Sequence, residues 1–317
     1  MTIRNVVSGT DGAGITVADF VKNPLFIPTR LKQLLANQFI AEALLRNAGS
    51  NVAGIYAYRE SDPMFLVDDI DELAEFGEIP VSHTARGIPK IAFGTKRGKG
   101  VRVTYDMIRK NQVDDVNQQI RALVNTFIRA NDRAAKLVLQ ADAVPTMPVP
   151  KAWDAIGGKP RKDIAEAISI VTSAAPTEAE GGSEDEYYGF VPDTIVLHPG
   201  LLATLMDNDD VLKVYQGNIA DQNIAYTGAL PAKINGLQVI QSRSWPIDRA
   251  FILERGTIGF YGDARPLQHT ELYPEGNGPN GGPRETWRTD STQERALGID
   301  QPNAGLWLTG LVEEVGP

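Results

Sequence analysis

The run from Glu60 to Lys110 separates its charge by sign and then passes into one long helical pattern, and nothing else in the chain constrains it as much. From Glu60 to Glu78 every charged side chain is acidic: Glu60, Asp62, Asp68, Asp69, Asp71, Glu72, Glu75 and Glu78. From Arg86 to Arg102 every one is basic: Arg86, Lys90, Lys96, Arg97, Lys99 and Arg102. Taken alone, a charge run is ordinarily a solvated surface hairpin. Blocks of one sign repel themselves, however, so their separation makes sense if each faces opposite charge, on the other block or on a neighbouring molecule. The pattern reads as a two-limbed arm built for assembly.

The segment after the arm strengthens that reading. Apolar side chains at Val113, Val116, Ile120, Leu123, Val124, Phe127, Ile128, Ala135, Leu137 and Val138 mostly step by three or four residues, which places them on one helical stripe. Pro145, Pro148 and Pro150 forbid continuation, so the helix is expected to end near Asp142. Roughly 28 residues at the helical rise span about 40 Å, long for a globular domain. It is a spine on which other elements can hang.

At 317 residues and 42% hydrophobic, the chain can fill a core in two lobes. It has no cysteine, which excludes disulfides and thiolate metal sites and suits a reducing cytosol. Nothing near the N-terminus resembles a signal peptide, and no apolar run approaches membrane-spanning length. A formal charge of -9 argues against a dedicated nucleic-acid binder, though not against a protein that encloses nucleic acid.

Residues 1 to 27 read as an extended, glycine-containing arm. A helix is expected from Thr29 to Asn47, with Leu31, Leu34, Leu35, Phe39, Ile40, Ala43 and Leu44 on one face and Gly49 ending it. Ile55 to Tyr58 and a return strand through Ile91, Phe93, Val101 and Val103 are expected to pair as a long hairpin around the acidic limb. Beyond the spine, Asp163 and Glu166 fit a capping box, and residues 176 to 186 form a polar loop. Thr194 to Leu197 is a strand, and His198-Pro199 opens a helix. Leu237 to Ile240, Phe251 to Leu253 and Ile258 to Tyr261 are strands separated by turns at Asn235-Gly236 and Trp245-Pro246. This second lobe is mixed α/β. Arg284 to Arg295 reads as a strand polar on both faces: Glu285, Trp287, Thr289, Ser291, Gln293 and Arg295 on one, Arg284, Thr286, Arg288, Asp290, Thr292 and Glu294 on the other. A strand buried in its own core should show an apolar face, so this one is expected to meet another subunit or water.

No catalytic, metal or cofactor constellation emerges. His83, His198 and His269 fit no metal spacing. Gly276 to Gly281 spells G-x-G-x-x-G but contains Pro279 and leads into a strand, where a dinucleotide fold needs a helix. The Asp68, Asp69, Asp71, Glu72 group lacks the glycine and spacing of a calcium loop.

The order of blocks resembles the major capsid proteins of tailed bacteriophages, the Hong Kong 97-like fold. The resemblance is carried by Ala74-Glu75-Phe76-Gly77-Glu78-Ile79-Pro80 in the arm and by Val101-Arg102-Val103-Thr104 entering a spine that ends Leu137-Val138-Leu139-Gln140-Ala141-Asp142. Ile195 to Pro199, Ile234 to Val239, Ala250 to Leu253 and Glu294 to Leu297 add to it. It implies an α+β fold with an N-arm (1–30), an N-terminal helix and connection (31–52), an extended E-loop hairpin (53–100) and a P-domain with the spine helix (101–154). A mixed α/β A-domain (155–261) and the P-domain return strands with the C-terminus (262–317) complete it.

It also implies a non-enzymatic subunit, without cofactor, that assembles through hexamers and pentamers into an icosahedral virion shell around double-stranded DNA in the host cytoplasm. A separate scaffolding protein, a portal and a decoration protein would be its partners. Glu72, Glu75, Glu78, Arg86, Lys90, Lys96, Arg97, Lys99, Arg284, Arg288 and Arg295 would then be inter-subunit contacts. The lysine to asparagine cross-link of some relatives finds no local motif here, although Lys90, Lys96, Lys99 and Asn303 are of the right type. An encapsulin-type compartment shell is the alternative of the same fold, and an unrecognised soluble α/β hydrolytic enzyme the alternative of another class.

Overall fold

A helix of 27 residues, Val113–Leu139, organises the molecule, and it does so by serving two cores at once. The structure, a computed structural model, describes residues 17–36, 38–61, 66, 68, 70–73, 75–84, 86–141, 143–176, 187–211 and 233–313. The helices are α1 (Val17–Lys22), α2 (Phe26–Leu35), α3 (Ile40–Leu44), α4 (Tyr105–Arg109), α5 (Val113–Leu139), α6 (Pro160–Thr172) and α7 (Pro199–Asp207). The strands are β1 (Arg46–Asn47), β2 (Ile55–Glu60), β3 (Ile88–Phe93), β4 (Thr95–Thr104), β5 (Thr146–Pro148), β6 (Thr194–Leu197), β7 (Lys233–Ile234), β8 (Leu237–Gln241), β9 (Arg249–Leu253), β10 (Gly259–His269), β11 (Tyr273–Pro274), β12 (Thr286–Ile299) and β13 (Gly305–Thr309).

Val116, Ile120, Leu123, Val124 and Phe127 of α5 pack with Ile27, Leu31 and Leu35 of α2 in a first core. One turn from its end, Ala135 and Leu139 enter a second core instead, with Trp153, Phe251 and Trp307. This explains a departure from the expected helix over residues 29 to 47. The apolar face is there, but α2 serves the first core and Ile40, Ala41 and Leu44 of α3 serve the second, so the chain breaks between them. Asp132 of α5 fixes the restart by accepting from the Ile40 amide at 3.3 Å and from the Ser242 hydroxyl at 3.2 Å. The helix also begins earlier than expected, because Pro28 occupies its first turn, where a missing N–H costs nothing. Residues 17–22 are helical where an extended arm was expected; residues 1–16 lie outside the described set. Gly49, at φ +84°, follows β1 and so ends a strand rather than a helix.

One further expectation is corrected. Asp163 is not an N-cap: Pro160 starts α6, and Asp163 is buried within it, accepting from the Trp153 indole N–H at 3.0 Å. Burial raises its carboxyl above the usual range, with the indole opposing. The polar loop of 176 to 186 falls almost wholly outside the described residues. The capping of α7 follows the reading, with His198 Nδ1 accepting from the Gly200 amide at 3.0 Å. Asn235 and Gly236 both take positive φ in the expected turn.

The first sheet runs β1-β10-β12-β11, with β4 added to β12; the second runs β5-β13-β9-β6-β8-β7; β2 and β3 form a two-stranded ribbon. β13 therefore joins the second lobe, although the resemblance placed residues 262–317 with the spine. Its Gly-Leu-Trp-Leu run is buried throughout between β5 and β9, as a central strand requires. Trp307 lies 4.6 Å from Phe251 and 5.2 Å from Trp245, ring centre to ring centre, and its indole donates to the Leu139 carbonyl at 2.7 Å. That bond satisfies a carbonyl at the end of α5 and welds the spine to the second sheet.

Trp307→Phe keeps the ring stack and removes this donor. It should cost about 1–3 kcal/mol, the usual penalty for orphaning a buried acceptor, read as a lower urea midpoint.

Candidate assembly interface

β12 lies between β10 and β4, and its register against β4 resolves the puzzle of the polar strand. The partners run from Thr286 opposite Thr104 to Arg295 opposite Thr95, so the basic segment lies along the polar one, with Lys96 opposite Glu294, Arg97 opposite Gln293 and Lys99 opposite Ser291. The two charge blocks are thus not the two sides of one long hairpin. Among the described residues β2 pairs only with β3, across six residue pairs, and the acidic limb loops out beyond them.

Thr289, Ser291, Gln293 and Arg295 are buried inside the subunit. Each finds a polar partner. The Thr289 hydroxyl donates to the Thr270 carbonyl at 2.8 Å, and Ser291 Oγ lies 2.7 Å from His269 Nδ1. Gln293, with its amide oriented to match its neighbours, donates to Asn131 Oδ1 of α5 at 3.2 Å. Arg295, with a side chain 3% exposed, binds both oxygens of Asp263 at 2.7 and 2.9 Å and Glu42 at 2.7 Å. Its guanidinium lies over the rings of Tyr261 (4.7 Å) and Phe39 (5.4 Å). Burial opposes its charge, but the two carboxylates more than compensate and raise its pKa. Arg295 therefore acts inside the subunit.

The other expected contacts reach the surface. Glu72, Glu75, Glu78, Arg86, Lys90, Lys96, Lys99 and Arg284 are exposed; Arg97 and Arg288 are partly so. Lys90 pairs with Glu60 across the ribbon. Arg97 is pulled below its ordinary pKa by burial and by neighbouring Arg295. Arg288 pairs with Asp290 at 2.7 Å and reaches Glu275, which also takes Arg102 at 2.8 Å. Glu275 is held low by the Thr286 hydroxyl first and then by these guanidiniums.

The limb shows what sequence reasoning about charge alone missed: it exposes apolar side chains among its acids. Phe76 is 100% exposed, Val81 95% and Ile70 94%, with Leu73 and Ile79 also out. The Ser82 hydroxyl ties the limb's base by donating to Asp68 at 2.8 Å. Phe76 takes φ +67°, a left-handed conformation uncommon for a bulky residue, and Gly77 comes next in the chain. The ribbon adds a second apolar surface. Tyr56 and Tyr58 pack on Phe260 with ring centres 6.1 and 5.1 Å apart, while on the opposite face Ile55, Ile91 and Phe93 are exposed. The interleaving of apolar and acidic residues from Ile70 to Val81 was the available signal for the limb. Nothing local marks Asp263, Glu42 or Phe260 as partners.

A two-lobed α+β subunit with a spine helix shared between lobes and a projecting ribbon is the Hong Kong 97-like arrangement. Solved structures share it at low identity. The chain is similar to a protein of Microbacterium phage Oxtober96 at 17% identity, covering 86% of this chain and 90% of that one with a TM-score of 0.56. It is similar to one of Mycobacterium phage Adephagia at 14%, covering 96% and 100% with a TM-score of 0.55. A virus-like particle from Pyrococcus furiosus matches at 10%, covering 89% and 97% with a TM-score of 0.55. At such identities the likeness is one of fold. No curated protein matches the chain. The profile of the phage capsid protein family matches residues 89–304, about two-thirds of the sequence. The chain belongs to the phage capsid protein family, which makes it a structural protein of the virion and not an enzyme.

Arg295→Leu should leave Asp263 and Glu42 without their cation and cost about 3–5 kcal/mol, seen as a lower urea midpoint. His269 supplies a pH signature. Burial, and then the charge of Lys32, lower its pKa from 6.5 to about 4. The unfolded chain then takes up the proton first, so this contribution to stability is complete above pH 6.5 and is lost as pH falls toward 4. The urea midpoint of His269→Gln should fall less steeply than that of the natural protein across this window.

Proposed function

We propose that this chain is the major subunit of a phage shell, and that copies associate through hexamers and pentamers into an icosahedral container for double-stranded DNA. The observation that carries the reading is the limb between β2 and β3, which exposes Ile70, Leu73, Phe76, Ile79 and Val81 among carboxylates. A chain that worked alone would gain nothing from this surface. Covering each such side chain in an assembly contributes roughly 1.5–3 kcal/mol. With several per subunit and many subunits per shell, modest contacts add to a stable container.

In this reading residues 1–30 are the N-arm, 31–52 the connection and 53–100 the E-loop. Residues 101–154 with 262–299 form the P-domain, and 155–261 with β13 the A-domain. Glu72, Glu75, Glu78, Arg86, Lys90, Lys96, Arg97, Lys99, Arg284 and Arg288 face neighbouring copies, the acidic limb of one subunit meeting basic surface on another. A net charge of -9 suits a container that holds DNA without adhering to it. Assembly takes place in the host cytoplasm on a separate scaffolding protein, with a portal at one vertex and a decoration protein where noncovalent contacts need reinforcement. Among the described residues no helix is long and apolar enough to cross a membrane.

Two variants test the limb by electron microscopy of the purified protein. Phe76→Asp alters a fully exposed site, so its stability from urea unfolding should stay within about 0.5 kcal/mol of the natural protein while closed particles disappear. The triple change Lys96→Glu, Arg97→Glu, Lys99→Glu should likewise abolish particles; normal shells from it would contradict the electrostatic part of the reading.

A further inference from the structure

The β2–β3 ribbon rests on the first sheet through two tyrosines set over two glycines. In β10 and β12, Phe260 pairs with Gly298 and Gly262 with Ala296, so strand alternation puts all four on one face. A Cβ at Gly262 would lie 2.3 Å from the Tyr56 ring, and one at Gly298 would lie 3.3 Å from the Tyr58 ring, against 3.4–4 Å for ordinary contact. Neither glycine takes a positive φ, so no turn requires it. A glycine inside a strand weakens it and marks a place where another element comes close. The Tyr56 hydroxyl fixes its ring there by donating to the Gly49 carbonyl at 3.1 Å and accepting from the Asn51 amide at 3.0 Å.

Among the described residues β2 and β3 pair only with each other, so no ladder of hydrogen bonds fixes the inclination of the ribbon on the sheet. Its far end is held by the Ser61 amide, which donates to the Asp300 carbonyl at 2.8 Å, and its near end by the chain itself, which passes through Gly94 into β4. Between these points its height is the thickness of the side chains beneath it, with Tyr56 on Gly262, Tyr58 on Phe260 and Gly298, and Ala92 clustered with Ala296. Moving the Tyr56 ring from 2.3 to 3.4 Å off a Cβ at position 262 takes a shift of about 1 Å. Five residues of strand, roughly 17 Å, separate Tyr56 from the anchor at Ser61, so the ribbon would turn by roughly 4°.

The limb continues from this ribbon, so a change in the ribbon's inclination changes the direction in which the limb leaves the subunit. We propose that Tyr56 on Gly262 and Tyr58 on Gly298 are positioning residues that set the angle between adjacent copies, and through it the diameter of the shell. A closed assembly of identical subunits repeats one angle at every equivalent contact, and a few degrees at each alter where it closes. This rests on the reading that the limb docks on another copy, and the experiment separates the two.

Tyr56→Leu thins the contact and Gly262→Ala thickens it. Each is made in the full chain, circular dichroism checks that it is folded, and particle diameters are measured by negative-stain electron microscopy. The two variants should move the mean diameter in opposite directions from that of the natural protein, and the two changes together should bring it back between them. A subunit that is merely destabilised would yield fewer particles without opposite shifts. If Gly262→Ala alone forms no particles, the double variant decides, with recovery of particles expected and continued failure overturning the assignment. Any other pattern of diameters, unchanged ones included, would overturn the positioning role and leave limb docking intact. Absence of closed particles from the natural protein would overturn the docking reading and this inference with it.

Discussion

The structure depends on burying a stretch of strand, Thr289 to Arg295, that has no apolar face. β12 crosses the first lobe between β10 and β4, and along this stretch its buried side chains are a threonine, a serine, a glutamine and an arginine. Such a strand is tolerable because each inward side chain finds a polar partner, even though Arg295 Nη1 is buried without a hydrogen bond of its own; an unpaired polar group in a low dielectric is costly. The partners come from β10 and the residue after it, from α5, and from α3 with the residue before it. Arg295 draws β10 and the α3 segment together, through Asp263, Glu42 and the Phe39 and Tyr261 rings.

The spine gives that lobe its connection to the rest. α5 inserts Leu123, Val124 and Phe127 into one core and Leu139 into the other, so neither lobe can repack without disturbing the helix. Asp132 binds the restart of the chain at Ile40 and the second lobe at Ser242 on one turn of the same helix. Burial raises its carboxyl above the usual range, with both hydrogen bonds opposing. Trp307 closes the joint from the C-terminal strand. Against this frame, the surfaces left uncovered stand out: the limb, the outer face of the β2–β3 ribbon and the free edge of β4.

Much of this was legible in the sequence where the signal is local. The period of α5, the Pro199 start of α7, the Asn235-Gly236 turn and the apolar run of β9 depend on neighbours in the chain. The helix break after Leu35 was not legible, because one apolar stripe serves two cores and periodicity records only that a face is buried. Asp163 fitted a capping box by spelling, yet Pro160 three residues earlier had already supplied the helix start. The partner of the polar strand was hidden in the same way. Arg295 meets Glu42 across 253 residues, a relation that no spacing rule encodes. For the interface, the charge blocks drew attention to the right segment, but to an intramolecular hairpin that the register of β4 rules out. The apolar side chains interleaved with the acids became meaningful only once the fold left them outside.

The central claim is that the exposed limb is an assembly element completed by another copy. A side-chain-resolution reconstruction of the assembled particle tests it most directly. The account predicts that Ile70, Phe76, Ile79 and Val81 of every subunit lose their solvent exposure against a neighbouring chain. Closed particles in which these side chains remain in water, with subunits joined through other surfaces, would contradict it.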